Sequence, residues 1–335
     1  MPEKTFKALI VEQPEPKKFT RRIGEKAVAE LPQGDLLLKV LYSSLNYKDA
    51  LSATGNPGVS RNFPHTPGID AVGEVVECAS GAFAPGERLI VTSYDLGMNT
   101  AGGFGQYIRV PSEWAVPLPE GLSARESMIL GTAGFTAALS LLHLERGGLK
   151  PGDGDILVTG ATGGVGSLAV DLLAKAGYRI AAVTGKPDQA QHLRNLGASQ
   201  VLSREELLAG SDRPLMKERW AGVIDVAGGE PLAAALKSTR YGGVVTCCGL
   251  VASPELPVNV FPFILRGVSL IGIDSAQCPM ELRRRTWQRL ASDWKLDNLE
   301  ENCEEIGLTG LEEKILAMLG GRSRGRILVN LRAKE

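Results

Sequence analysis

The first third of the chain alternates short apolar runs with turns rich in glycine and proline. Branched and long apolar side chains predict five strands in this part of the chain, over residues 6–11, 36–41, 73–77, 88–91 and 107–110. The turn Ala84-Pro85-Gly86-Glu87 separates two of these runs. Because strands are so closely spaced, the pattern predicts an antiparallel, barrel-like domain.

Beyond Ser123 the apolar runs alternate with segments of helical periodicity. A long helix is predicted at 124–142, and strands and helices then alternate at 155–159, 166–176, 179–183, 188–196, 222–226, 231–236, 243–247 and 268–273. This alternation predicts a doubly wound parallel sheet. A helix at 279–294 leaves that sheet, and a strand at 326–329 is expected to return to the first domain. The predicted domains are therefore 1–125 with 296–335, and 126–295.

Composition narrows the classes of partner. The 335 residues include 37 Lys and Arg against 38 Asp and Glu, a formal net charge of −1, which argues against nucleic acid or an anionic membrane as the main partner. The longest apolar stretch, 129–142, is interrupted by small polar residues and is too short to span a bilayer. Residues 1–7 lack the apolar segment of a signal peptide. Five cysteines without a C-x-x-C spacing argue against a disulfide framework, so we expect a cytoplasmic protein.

A glycine-rich turn joins the predicted strand at 155–159 to the helix that follows. A glycine turn with a strand before it, a helix after it and further strand–helix units downstream is typical of dinucleotide binding. Glycines let the backbone approach a pyrophosphate, and the helix N-terminus supplies N–H donors. The alternative is a tight turn without a ligand. The residues predicted to contact the dinucleotide are Thr162, Gly163, Gly164 and Val165.

The end of the next strand bears on the choice between NAD and NADP. An NAD site usually has an acidic residue there, which binds the ribose 2′-hydroxyl. Thr184, Gly185 and Lys186 stand at this position instead, and Arg204 follows the next helix and strand. A hydroxyl and two cations suit a 2′-phosphate, so the sequence predicts NADP (NADPH). The alternative is that Lys186 and Arg204 are solvated surface charges.

Six motifs in order make the chain similar to the medium-chain dehydrogenase/reductase superfamily, and more specifically to its zinc-free acrylyl-CoA reductase (AcuI/YhdH-type, quinone oxidoreductase-like) group. They are SSLNYKDA (43–50), NFP with PGID (62–64 and 67–70), GTAGFTA (131–137), GGVG (163–166), YGG leading to CGL (241–243 and 248–250) and PFILR (262–266). The resemblance covers nearly the whole chain. It implies an α/β protein with a Rossmann NADP-binding domain and a GroES-like β-barrel catalytic domain.

The resemblance also bears on metal binding. Zinc alcohol dehydrogenases of the superfamily carry Cys where Asn46 stands and Gly-His-Glu where Gly68-Ile69-Asp70 stands. A catalytic zinc needs three protein ligands and an open position. His65 and Cys78 do not supply such a set, so we expect no metal.

Without a metal, the implied chemistry is hydride delivery to an activated acceptor such as an enoyl thioester, an enone or a quinone. Asn46 and Tyr47 are the best candidates to meet the negative charge that develops on the acceptor oxygen, although they could instead only shape a loop. The resemblance places Tyr47 beside the cofactor, and it places Leu250 and Ile264 at the nicotinamide, where either could equally be core.

Other charged residues carry less information. Arg61, near the candidate substrate loop, is a candidate contact for the anionic part of the substrate. Arg283-Arg284-Arg285 falls on a predicted helix, where a solvated face is expected and a contact with CoA phosphates is the alternative. Asp225 ends a strand at the sheet edge where ligands gather, or caps the turn that follows.

Three functions remain after these steps. The first is an NADPH-dependent reductase of short 2-enoyl-CoA thioesters, above all acrylyl-CoA. The second is a quinone or enone oxidoreductase, and the third is an NADPH-binding redox sensor without catalysis. A homodimer is expected, because the apolar strand predicted at 268–273 would otherwise leave an exposed sheet edge, and the family pairs this strand across a two-fold axis.

Overall fold

The computed structural model describes residues 4–333. Residues 1–3, at the start of the N-terminal stretch, and residues 334–335, at the end of the predicted first domain, lie outside the described residues. The chain forms two compact units, one of residues 1–132, 276–292 and 298–335 and the other of residues 133–275 and 293–297.

The N-terminal part of the first unit is mainly β-structure, as predicted. Its elements are β1 (Thr5–Glu15), β2 (Lys18–Ala27), β3 (Leu36–Ser44), α1 (Tyr47–Ser52), β4 (Asp70–Cys78), β5 (Arg88–Thr92), β6 (Tyr107–Val110) and β7 (Ala115–Pro117). β1 and β2 form an antiparallel pair. The polar alternation of β2, which leaves it partly exposed, gives no apolar run, and the sequence therefore did not predict it.

Helix α2 (Ala124–Arg146) is longer than predicted and breaks at Gly131, whose φ of 50° and ψ of −155° are not helical. Its length and composition would suffice to cross a membrane, but 89% of its most apolar window is buried within the protein. Helix α2 is therefore a buried core helix.

The second unit contains the predicted parallel sheet. Its elements are β8 (Asp155–Val158), α3 (Gly164–Lys175), β9 (Arg179–Val183), α4 (Ala190–Asn195), β10 (Gln200–Leu202), α5 (Arg204–Leu208), β11 (Trp220–Asp225), α6 (Gly229–Ser238), β12 (Thr239–Cys247), α7 (Phe261–Arg266) and β13 (Ser269–Gly272). The strand order is β10-β9-β8-β11-β12-β13, and every pair is parallel. This is the doubly wound order of dinucleotide-binding domains.

The chain then returns to the first unit through α8 (Met280–Leu290), β14 (Cys303–Ile306), α9 (Leu311–Leu319) and β15 (Arg326–Asn330). β15 pairs with β3, which completes a seven-stranded sheet of order β14-β15-β3-β4-β5-β7 with β6 also on β3. The predicted return of the strand at 326–329 is confirmed.

The two compact units differ from the predicted domains mainly at residues 276–292, which are predicted in the nucleotide domain but belong to the first unit, and also at 126–132 and 296–297. Arg283 bears on the first of these differences. It was expected on a solvated face, but it is fully buried in the first unit. Its guanidinium donates to the carbonyl and hydroxyl oxygens of Thr92 at 3.1 and 2.8 Å and lies 4.4 Å from the Tyr94 ring centroid. Only Arg284 and Arg285 of the triplet are exposed.

Candidate functional site

The glycine turn after β8 has the geometry of a phosphate-binding turn. Gly160 has a φ of 59°, and α3 begins at Gly164 with Gly163 as its N-cap. A Cβ on Gly166 would lie 2.3 Å from the carbonyl oxygen of Gly160, so only glycine lets the helix start this close to the strand. Thr162 is buried, whereas Gly163, Gly164 and Val165 are partly exposed at the first turn of the helix. These N–H groups and the helix dipole suit a pyrophosphate.

The residues predicted to select the cofactor lie together at the end of β9. The Thr184 hydroxyl accepts a hydrogen bond from the Lys186 backbone N–H at 3.0 Å and lies 3.4 Å from the Thr162 hydroxyl. The Arg204 guanidinium packs on Gly185, where a Cβ would come within 2.9 Å of it. Burial lowers the pKa of Lys186, and the nearby charge of Arg204 lowers it further. Two like charges held this close suit a bound anion.

Asp225 ends β11 and is fully buried. Its carboxylate accepts the Thr159 hydroxyl at 2.6 Å and the Gly228 N–H at 2.8 Å. The second bond supports the interpretation of Asp225 as the cap of the following turn. Burial raises its pKa above the ordinary range.

A groove of about 590 Å³ lies beside that turn, at the carboxyl ends of β11 to β13. Cys247, Cys248 and Leu250 are among the residues that line it. Leu250 and Ile264 have 62% and 69% of their surface exposed, so neither is a core residue. Exposure of this degree is compatible with a ligand or protein contact.

In the first unit, Asn46 directly precedes α1. Its backbone N–H donates to the Asp49 carboxylate at 2.8 Å, which satisfies one free donor of the helix start. Its side-chain amide donates to Asp70 at 2.8 Å, to the Ser44 carbonyl at 3.2 Å and to Asp49 at 3.3 Å. The donors of Asn46 are therefore engaged within the protein. The next side chain, Tyr47, is 39% exposed.

Asp70 is the centre of this hydrogen-bond network, and it is fully buried. Besides Asn46, it accepts the Ser44 hydroxyl at 2.6 Å, the Thr132 hydroxyl at 2.5 Å and the Thr132 N–H at 2.9 Å. A Cβ on Gly131 would lie 2.5 Å from the Asp70 carboxylate, which explains why the chain has glycine there. The two positions at which zinc-dependent members carry Cys and Glu are thus joined by a direct hydrogen bond.

Arg326, the first residue of β15, is a member of this network that sequence reasoning missed. It is buried and donates to the Ile129 carbonyl at 2.7 Å and to the Asn46 side-chain oxygen at 3.2 Å. Burial lowers the pKa of Arg326, and the nearby charges of Asp70 and Asp49 oppose only part of that drop. The one signal in the sequence was an arginine next to the apolar run 327–329.

Asp49 is the most perturbed carboxyl group of this cluster. Burial and the neighbouring Asp70 carboxylate raise the pKa of Asp49 to about 7, against hydrogen bonds from Asn46 and the Ile69 N–H, which act in the opposite direction. A buried carboxyl that titrates near neutrality is frequent at functional sites and is also found in structural ion-pair networks.

The remaining predicted residues lie apart from this network. Arg61 is exposed, and its Nε donates to the Pro57 carbonyl at 3.0 Å. Nε2 of the buried His65 lies within hydrogen-bond distance, 2.9 Å, of the Gly97 carbonyl oxygen. Burial lowers the pKa of His65. Within residues 4–333, His, Cys, Asp and Glu form no group of three that could hold a metal ion.

Two protein-family models match parts of this chain. The family model of the alcohol dehydrogenase GroES-like domain matches residues 32–120, and that of the zinc-binding dehydrogenase matches residues 164–293. The acrylyl-CoA reductase AcuI of Ruegeria pomeroyi is 42% identical over 98% of this chain and 100% of its own length.

Solved structures extend the comparison to bound cofactors. Escherichia coli YhdH with bound NADPH is 43% identical, with a TM-score of 0.93 over 97% of this chain and 100% of that chain. Bacillus subtilis yhfP with bound NAD is 44% identical, with a TM-score of 0.95 over 98% of this chain and 99% of that chain. Similar proteins thus occur with either cofactor, which makes the residues at the end of β9 the informative ones.

Proposed function

This chain belongs to the medium-chain dehydrogenase/reductase superfamily, and we propose that it reduces the C=C bond of a short 2-enoyl-CoA thioester, acrylyl-CoA to propionyl-CoA, with NADPH. The observation that carries the proposal is the similarity to an acrylyl-CoA reductase over nearly the full length of both chains. The enzyme class follows from the same family membership, and the 43% identical YhdH of Escherichia coli binds NADPH.

The residues of the second unit fit NADPH. Gly166 lets α3 start close to β8, as in dinucleotide-binding turns, and Lys186 and Arg204 offer two cations to a 2′-phosphate. When bound, NADPH supplies the hydride that the β-carbon of the acceptor receives.

The residues of the first unit have to accommodate the charge that this reduction creates. Negative charge develops on the thioester oxygen when the β-carbon is reduced, and a positioned donor lowers the barrier. The Tyr47 hydroxyl is the candidate donor, since the amide of Asn46 is engaged with Asp70 and Asp49. Within this proposal Asn46 is a positioning residue that fixes the start of α1, and the exposed Arg61 contacts the anionic part of CoA.

Purified protein tests the proposal directly. NADPH oxidation is measured on addition of acrylyl-CoA, crotonyl-CoA, a simple enone or benzoquinone. We expect acrylyl-CoA to give the highest kcat/KM and propionyl-CoA to be the product by mass spectrometry. With NADPH deuterated at the hydride-donating carbon, the label should appear on the β-carbon of propionyl-CoA.

Two outcomes would replace the proposal. Turnover of quinones or enones without turnover of acrylyl-CoA would identify a quinone or enone oxidoreductase. Tight NADPH binding without turnover of any acceptor would identify a non-catalytic redox sensor.

We further propose that the protein is a homodimer formed through β13. This strand lies at the end of the six-stranded sheet, and within residues 4–333 it pairs only with β12. An unpaired edge of this kind favours pairing with another strand, and a two-fold contact closes it. The exposed apolar side chain of Leu265, near the strand in sequence, favours the same contact.

A further inference from the structure

Two consecutive cysteines, Cys247 and Cys248, line the groove at the carboxyl ends of β11 to β13. Ligands of doubly wound sheets bind at this edge. Leu250, which the family resemblance places at the nicotinamide, lines the same groove. An acceptor that is to receive a hydride has to approach the nicotinamide, so under the proposed function an electrophile operates close to two thiols.

Such an acceptor can react with a thiol as well as with a hydride. In this side reaction the sulfur forms a bond to the β-carbon, the C=C π bond breaks, and the thiol proton ends on the α-carbon. Atoms and electrons balance without an oxidant or reductant, and the product is a stable thioether. Because the thiolate is the nucleophile, the rate depends on how much of each cysteine is ionised.

Asp225 lies next to both cysteines. Cys247 is the register partner of Asp225 in the parallel pair of β11 and β12, so the two side chains project from the same face of the sheet. The Cys248 thiol donates to the Asp225 backbone carbonyl at 3.3 Å. The Asp225 carboxylate is buried and held in place by Thr159 and Gly228.

The other ionisable side chains that line the groove have the same sign of charge. They are Glu255 and Asp274, and the lining residues include no lysine, arginine or histidine. No cation in the lining of the groove therefore stabilises a thiolate, and both carboxylates there oppose one.

We infer that Asp225 keeps Cys247 and Cys248 protonated and thereby protects the groove from covalent addition of the electrophilic acceptor. The protection from covalent addition of the acceptor rests on the proposed function. The effect of the carboxylate on the two thiols does not depend on the proposed function.

The pKa directions agree with this geometry. Burial and the Asp225 charge raise the pKa of Cys248 to about 12, and the same two causes raise the pKa of Cys247. Cys78, in the first unit, provides an internal reference, because a hydrogen bond from Ser80 lowers its pKa.

Site-resolved alkylation tests the inference. The protein without NADPH is treated with N-ethylmaleimide or with acrylyl-CoA over a range of pH, and adducts at each cysteine are quantified by peptide mass spectrometry. In the wild type we expect Cys78 to react first and Cys247 and Cys248 to resist. Asp225→Asn should move the pH profile of the two groove thiols to lower pH and raise their rate at pH 8 by about tenfold for each pKa unit.

Thr246→Val is the matched control. Thr246 is buried in β12 beside Cys247, and its hydroxyl donates to the Val223 carbonyl at 3.2 Å. Thr246→Val therefore also removes a buried hydrogen bond but keeps the Asp225 charge. It should leave the alkylation profile unchanged. An Asp225→Asn profile equal to that of the wild type would overturn the inference.

A direct thiolate titration covers the case in which Asp225→Asn does not fold. With Cys78, Cys278 and Cys303 replaced by serine, thiolate absorbance reports only the two groove thiols, and a pKa near the ordinary 9 would also overturn the inference.

The maleimide experiment requires no turnover, so it separates this inference from the proposed function. If Asp225→Asn sensitises the two thiols to maleimide in a protein that does not reduce acrylyl-CoA, protection from acrylyl-CoA is ruled out, but the effect of Asp225 on the ionisation of the thiols stands. Rapid reduction of acrylyl-CoA with no effect of Asp225→Asn would refute the inference alone.

Discussion

Lys186 and Arg204 are the residues that we expect to decide between NADPH and NADH. Only NADPH carries the 2′-phosphate, and a hydrogen bond to a charged group contributes about 1.5–3 kcal/mol. Replacement of both residues by alanine should therefore weaken NADPH binding on the order of a hundredfold and NADH binding far less. Fluorescence titration with both cofactors measures the difference, which should shrink as salt increases. An equal loss for both cofactors would mean that these cations serve the fold or the pyrophosphate.

Asp49 makes the stability of the protein depend on pH. Because its folded-state pKa of about 7 lies above the ordinary 3.8, its contribution to stability is fully present below about pH 4 and is lost as the pH rises through 7. Asp49→Asn stays neutral, so between about pH 4 and 7 the wild type should lose unfolding free energy relative to this variant by about 1.4 kcal/mol per pH unit, and the difference should be constant above pH 7.

Chemical denaturation at several pH values measures this difference. The exposed Asp212 gives the control, because Asp212→Asn should follow the wild type throughout. Parallel curves for the wild type and Asp49→Asn would show that Asp49 does not titrate in this range.

At the scale of elements, the break in α2 at Gly131 fixes the backbone of Thr132 against Asp70. Gly131→Ala adds a methyl group 2.5 Å from both the Asp70 carboxylate and the Ser44 hydroxyl, at a φ of 50°. We expect a loss of more than about 1–3 kcal/mol, the range for backbone strain alone. Gly81 also has a positive φ but open space around it, so Gly81→Ala should cost clearly less in the same thermal unfolding assay.

The β13 edge gives a second prediction at this scale. The proposed dimer should be seen by light scattering at micromolar concentration, and Ile271→Lys should yield monomers, because a charge on an edge strand opposes pairing. Circular dichroism of the variant controls for loss of the fold. A monomeric wild type would end the proposal.

For the molecule as a whole, we expect activity without a metal ion. Asn46, Ile69 and Asp70 stand where a catalytic zinc would need thiolate and imidazole ligands, and Asn46 and Asp70 are already hydrogen-bonded to each other. Dialysis against a chelator should leave the rate of NADPH oxidation unchanged. Stoichiometric zinc by elemental analysis, together with activity lost on chelation, would contradict this expectation.

The sequence by itself determined the features that depend on local pattern. Alternating strands and helices predicted the parallel sheet, and the spacing of glycines predicted the turn at Gly160 to Gly166, because backbone conformation there is set by neighbouring residues. Lys186 and Arg204 were also found from their positions relative to predicted strand and helix ends. The structure places the Arg204 guanidinium against Gly185, the residue before Lys186.

Only the tertiary structure decided which charges are buried. Arg326 reaches Asn46 across 280 positions of sequence, and Arg283 reaches Thr92 across 191, so no local pattern distinguishes them from the solvated arginines of the same chain. The raised pKa of Asp49 arises in the same way, from burial and from the Asp70 carboxylate that strand β4 supplies. Charge burial depends on contacts between distant segments, and such contacts exist only once the chain has folded.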